Sequence, residues 1–217
     1  MPRPQTFTTV EDLPLVAGTL CLDFVNTTGA RASAAPRERL TCYRDFLTWS
    51  ERTGLLNAKA AARLQRAAAR RKADAANALR RARELREDLY ELLTAFGEGR
   101  RPSTRAVARL AVQWRVAQRN QQLVLGRTGL KFRTLTNDAD LDSVMLPIVA
   151  AAVELMTSDR LLRMKRCAEC DWLFLDTSKN STRRWCKLAC GNRARSRARY
   201  ERQHRTPPAL NNVRSRD

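Results

Sequence analysis

Four of the six cysteines in this 217-residue chain are spaced for chemistry. Cys167 and Cys170 form a C-x2-C pair, Cys186 and Cys190 form a C-x3-C pair, and fifteen residues separate the two. Two short cysteine pairs in a chain without a secretory leader point to a metal rather than to disulfides. Four thiolates close a tetrahedral zinc with no position left for substrate, which makes the site structural. Iron–sulfur clusters also use four cysteines, and spacing alone leaves that alternative open. Cys21 and Cys42 stand singly in apolar surroundings and are expected to be ordinary buried thiols. The lone histidine, His204, argues against a histidine-rich catalytic metal centre and against a Ser-His-Asp triad.

The second chemical signal is charge. The chain carries 41 Lys+Arg against 22 Asp+Glu, a formal net charge of +19. Residues 160–205 alone hold 14 basic and 4 acidic side chains. Charge that dense repels itself unless a polyanion neutralises it, so the expected partner is nucleic acid, with an anionic membrane surface or an acidic protein as the alternative. A helix expected from Asn192 to about His204 carries Arg193, Arg195, Arg197, Arg199, Arg202 and Arg205. At about 100° per residue, Arg193 and Arg197 share one face, and Arg195, Arg199 and Arg202 share another. Ala194 and Ala198 offer only a thin apolar strip, so such a helix gains little from packing. Laid against duplex DNA it can meet phosphates and reach guanine edges, with Arg183, Arg184 and Lys187 clamping the flanking backbone. The plainer alternative is a solvated basic helix that serves solubility.

These groups need elements to position them. Residues 1–12 read as a loose leader, and Leu20–Asn26 is an apolar stretch too short to assign. Pro36 opens an amphipathic helix expected over Arg37–Arg52 and ending near Gly54. Asn57 caps a long Ala/Arg-rich run to Phe96, broken near Asp74 and stopped by Gly97 and Gly99. A further helix follows Pro102-Ser103, with Val107, Leu110 and Trp114 expected to face the core. Gln121–Thr136 reads as a β-hairpin turning at Gly126-Arg127-Thr128-Gly129. Asp140 leads a last core helix to about Asp159, burying Leu141, Val144, Met145, Ile148, Val149, Ala152 and Leu155, with Pro147 placed to kink it.

After residue 160 the order is a Cys167–Cys170 knuckle, then a short strand Trp172–Leu175 and a turn Asp176–Asn180. Arg183-Arg184-Trp185 then returns as the second arm of a hairpin, and a helix follows with Cys190 at its start and Gly191-Asn192 suited to begin it. That is the order of a treble-clef zinc finger. Trp172, Phe174 and Trp185 are expected to form its miniature core, with the metal supplying much of the folding energy. The fold class is therefore mainly α with a small β-hairpin, plus a four-cysteine treble-clef-like finger. The expected domains are 12–159, 160–205 and a flexible tail over 206–217.

The stretch Arg183-Arg184-Trp185-Cys186 through Cys190-Gly191-Asn192-Arg193 resembles the CGNR zinc-finger family, as does Phe174-x-Asp176-x-Ser178-x-Asn180 before it. Upstream, Leu22-Asp23-Phe24-Val25-Asn26-Thr27 resembles the opening motif of the ABATE domain, which usually precedes that finger. The resemblance covers roughly residues 15–205. It implies a bacterial, stress-responsive transcription regulator whose finger binds DNA, with Cys167, Cys170, Cys186 and Cys190 as ligands of one structural zinc. It departs from many members in having three residues, Lys187-Leu188-Ala189, between the second cysteine pair, where four are expected; this bears on the phase of the helix. It also implies a mostly helical, sensor-like domain over residues 15–158, in which Asp23, Asn26 and Arg31 are candidate contacts for a small-molecule effector. The alternative is that Asp23 and Asn26 cap a helix or pair with each other.

The expectation is thus a zinc-dependent, duplex-DNA-binding regulator, cytoplasmic and associated with the bacterial nucleoid when bound. It is not expected to be an enzyme or a membrane protein, and it is a candidate homodimer. One rival is an RNA-binding zinc module that stacks bases on Trp172, Phe174 and Trp185. Another is an enzyme in the N-terminal domain, although no nucleophile–base pair or phosphate loop is present.

Overall fold

The computed structural model describes residues 8–31, 34–137 and 140–204. Arg205, the tail 206–217 and the first part of the leader lie outside them. Residues 8–12 are not loose: Val10 is buried, and the Asp12 carboxylate accepts the Thr8 and Thr9 amides. The helix α1 (Leu20–Val25) resolves the unassigned apolar stretch; it buries Cys21, Leu22, Phe24 and Val25. A two-residue bridge, β1 (Thr28–Gly29) with β2 (Arg37–Glu38), follows.

Helix α2 (Tyr43–Arg52) begins later than the apolar spacing predicts. The Asp45 carboxylate accepts the Thr41 and Cys42 amides at 2.7 and 3.0 Å and fixes the start there. Glu38 is meanwhile held in the bridge by Arg86. Cys42, in the capping position, is exposed rather than buried. Asn57 caps α3 (Ala58–Arg70) by accepting the Ala60 amide, as its position predicts. The break before α4 (Lys72–Gly97) falls at Arg71, so Asp74 lies in the first turn of α4, where it suits the helix dipole. Ser103 caps α5 (Thr104–Arg119), which buries Ala106, Leu110 and Ala117. Val107 is exposed, because alanines and not valines mark the face of α5 that packs closely.

The hairpin is present as β3 (Gln121–Leu125) and β4 (Leu130–Thr134), with Leu123 opposite Phe132 and Leu125 opposite Leu130. Those four side chains share one face, and they are 57–83% exposed. Asp140 opens a 3-10 turn that runs into α6 (Leu146–Met156), and all seven predicted core residues of this segment are buried. Pro147 occupies the first turn of α6, where a proline costs no hydrogen bond, so it starts the helix instead of kinking it.

The long α4 is the spine: α1, α2, α3, α5 and the finger strand β5 (Met164–Arg166) all pack on it. Phe24, Phe46 and Trp49 meet at the centre with ring centroids 5.3–6.2 Å apart. Among the described residues no helix is long and apolar enough to cross a membrane.

Candidate metal centre and basic helix

The finger is built on a different hairpin from the one its sequence suggests. Strand β6 (Leu173–Leu175) pairs antiparallel with β5, ahead of the knuckle, so Cys167–Cys170 sits at the tip of that hairpin. Arg183-Arg184-Trp185 is not a strand; it holds the knuckle from the side, where the Ala168 amide donates to the Arg184 carbonyl at 3.1 Å. The turn after β6 is organised by Asp176, which is inaccessible to solvent. Burial opposes its ionisation, but Lys165 at 2.7 Å, Ser178 and the Arg183 amide outweigh this and hold the carboxyl well below its usual range.

Four cysteine sulfurs converge at the hairpin tip, all within 4.8 Å of one another. Cys170 and Cys186 are 3.6 Å apart; Cys190 is 3.7 Å from each. A tetrahedron of thiolates around zinc at ~2.3 Å has edges of roughly 3.8 Å, so the cage has the size of one such ion. A four-iron cluster would need its thiolates further apart. Without a cation the thiols also compete: hydrogen bonds from its neighbours pull Cys167 below the ordinary thiol range, while the bond with Cys167 pushes Cys170 and Cys186 above it. All four protons leave only if a divalent cation takes their place.

Helix α7 (Leu188–Gln203) starts four residues earlier than expected, so Cys190 lies inside its first turn. Gly191 is therefore a helical residue, retained for space: a Cβ there would stand 3.2 Å from the Trp185 ring. The Arg184 guanidinium lies over Trp185, 5.7 Å from the ring centre.

The arginines of α7 divide into two sets. Glu169, between the knuckle cysteines and only 7% exposed at its side chain, takes Arg197 through both oxygens at 3.2 and 2.7 Å. It also stands 3.6 Å from Arg193, whose other nitrogen donates to the Cys190 sulfur at 3.2 Å. Arg193 and Arg197 thus fasten the helix to the metal knuckle. Arg195, Arg199 and Arg202 are exposed on the far side and form no ion pair among the described residues; Arg195 donates to Asn192 Oδ1 at 2.6 Å. Arg183 donates to the Cys186 carbonyl at 2.8 Å and lies over Phe174, and Lys187 lies 4.8 Å from the Trp172 ring centre, its ammonium pushed down by burial.

Sequence profiles agree with this geometry. The CGNR zinc finger matches residues 163–203, and ABATE, described as "putative stress-induced transcription regulator", matches residues 18–159. The chain belongs to the ABATE family. No curated protein matches it. With the CGNR finger matched and the cage of the right size, the cofactor is one zinc ion held by Cys167, Cys170, Cys186 and Cys190.

The ABATE opening motif can now be read residue by residue. Asp23 accepts the Ala17 amide at 3.1 Å, and burial pushes its carboxyl up to about 6. Asn26 clasps β6: the Leu173 amide donates to its Oδ1 at 3.0 Å, and its Nδ2 donates to the Leu173 carbonyl at 2.8 Å. Arg31 pairs with Glu87, donates to the Val25 carbonyl and lies over Tyr90. Asp23 and Asn26 do not pair with each other, and none of the three lines the cavity of about 550 Å³ between the end of α4 and the finger. The Leu175 amide donates to the Ala17 carbonyl, and Gly18, at φ +86°, lets the chain pass close to Leu175. Trp172 and Phe174 are consequently buried in a core continuous with the ABATE helices, not in a miniature core of the finger. The clasp was missed in the sequence, where the only signal was that an asparagine stood in the ABATE motif.

Proposed function

We propose that this protein is a zinc-dependent transcription regulator that binds duplex DNA through the outer face of α7. The observation that carries the reading is the division of that helix. Glu169 pairs with Arg193 and Arg197, while Arg195, Arg199 and Arg202 stand exposed and form no ion pair among the described residues. Isolated cations on a rigid helix are what phosphates and guanine edges recruit. Arg184, exposed beside Trp185, is a flanking phosphate contact. Arg193 and Arg197 act as positioning residues, and Arg183 and Lys187 hold the finger together. Base stacking in the manner of an RNA module has less support: exposing Trp172 or Phe174 would open the common core.

The deciding experiment is selection of the zinc-loaded full chain on a randomised duplex pool at about 0.15 M salt, where loose phosphate binding is weakened. An enriched motif is the expected outcome. Binding that only fades with salt and enriches nothing would leave a nonspecific polyanion binder.

The same reading places the protein in the bacterial cytoplasm, on the nucleoid when bound, and without enzymatic activity. It includes a homodimer joined through the β3–β4 hairpin. Leu123, Leu125, Leu130 and Phe132 make a charge-free face on a chain of net charge +19, with Lys131 and Arg133 on the other side of the hairpin. Four such side chains present roughly 500 Å² of apolar surface, more than half of the ~800 Å² each partner contributes to a standard interface. Sedimentation should give a dimer that Phe132→Glu converts to monomer; a wild-type monomer would remove the dimer. An anionic effector would reach both halves of the chain in the 550 Å³ cavity, where Lys165, Arg166, Arg183 and Arg184 outnumber the one lining acid, Glu98, which pairs with Arg166. A thermal-shift screen of small anions against wild type and Arg166→Ala checks it.

A further inference from the structure

The outer face of α7 contains more than arginines. Leu188, Asn192, Arg195, Arg199 and Arg202 follow one another at steps of four, three, four and three residues. At about 100° per residue they fall on one stripe roughly 80° wide, opposite Cys190, Arg193 and Arg197. Leu188 is the first residue of the helix, 75% exposed, near the middle of that stripe. The zinc fixes this phase, because Cys190 is a ligand two residues further on and Gly191 is pressed against Trp185. A leucine there cannot turn inward.

We infer that Leu188 is a sequence-reading residue, packing on the C5-methyl of a thymine in the major groove while Arg195 reads a guanine on the same stripe. This rests on the proposed duplex-DNA reading and goes beyond it. In the major groove only thymine offers an apolar group, and the residues near the N-terminal end of a recognition helix are those that approach base edges. Arg195 is already oriented: its hydrogen bond to Asn192 Oδ1 limits the freedom of the guanidinium before any contact with a base. Arg195 stands seven positions after Leu188, about 10 Å along the axis, or roughly three base steps of ~3.4 Å for a helix lying along the groove. The expected motif therefore pairs a thymine with a guanine about three steps away. Arg199 and Arg202, further along the stripe, then meet the backbone.

The test uses the full zinc-loaded chain and the duplex enriched from the randomised pool. Each thymine is replaced singly by deoxyuridine, which removes only the methyl group, and affinities are compared for wild type and Leu188→Ala. At one position wild type should lose about fourfold, the effect of one buried carbon. Leu188→Ala should bind both duplexes equally there, with unchanged zinc content and thermal stability. A wild type that binds its motif but is indifferent to every deoxyuridine would overturn the inference and leave DNA binding standing. So would a Leu188→Ala variant that keeps the same discrimination. Failure of any motif to emerge is a separate result, which removes sequence-specific recognition and this inference together and leaves at most a nonspecific polyanion binder.

Discussion

Helices α4 and α7 are both rich in arginine, yet they use it in opposite ways. In α4, Arg80 pairs with Glu84, Arg81 with Asp142, and Arg83 and Arg86 with Glu38. Arg86 is buried, with Thr27 Oγ1 as a further acceptor at 3.1 Å. In α7, one acid serves two of the five described arginines, and the other three form no ion pair among the described residues. Arginine content therefore does not mark a nucleic-acid surface. On the proposed reading, what marks it is arginine left without an ion pair on a rigid, exposed face, and that depends on which partners the fold brings near.

The strongest way to break this contrast is to remove the ion that fixes α7. Cys186→Ser should abolish zinc retention, read by native mass spectrometry, and with it all duplex binding. Zinc in small finger peptides contributes on the order of 10 kcal/mol; because the finger shares its core with the ABATE helices, the whole unfolding transition should shift down. Normal duplex binding by the metal-free variant would sink the mechanism.

Asn26→Ala tests the shared core itself. It leaves the Leu173 amide and carbonyl without partners, at a cost of about 2–4 kcal/mol in chemical denaturation. An unchanged midpoint would mean that the clasp contributes nothing.

Smaller effects sharpen the contrast within α7. Arg199→Ala should lower the salt slope of duplex binding by about one, whereas Arg80→Ala on α4 should leave it unaltered. Glu169→Gln frees Arg193 and Arg197, so the slope should steepen by about one to two. Equal slopes for all three variants would show that pairing does not decide which arginines meet phosphate.

The smallest effect concerns Asp23, whose carboxyl burial raises to about 6. A carboxyl held higher in the folded chain than in the unfolded one contributes most at low pH, and loses that contribution as pH rises through about 6. Between pH 5 and 7 wild type should therefore lose about 1 kcal/mol that Asp23→Asn does not. Parallel curves would remove the assignment.

Much of this was legible in the residues. The metal ligands, the helical class, the β3–β4 hairpin, the Asn57 cap and the core face of α6 follow from spacing and capping chemistry. The failures share a cause: they depend on neighbours distant in sequence. Val107 was assigned to the core by apolarity, but small residues decide where α5 packs. That Glu169, 28 residues from Arg197, pairs with Arg193 and Arg197 could not be seen from the helix alone. Asp23, Asn26 and Arg31 were candidate effector contacts, with capping or mutual pairing as the alternative for the first two, and their actual partners, the Ala17 amide, the Leu173 main chain and Glu87, could not be named from the motif. The pairing of β6 with β5 was not visible because strands of three residues leave no periodicity to read.

The clasp at Asn26 also bears on how such chains can be recombined. Its two hydrogen bonds go to the main chain of residue 173, so the match needs the asparagine and nothing in particular opposite it. The finger is thus a structural continuation of the helical half and not a free-standing cassette. A chimera spliced at residue 160 would carry zinc and arginines intact, yet it would work only where the host supplies that one amide side chain and a bare glycine beside it.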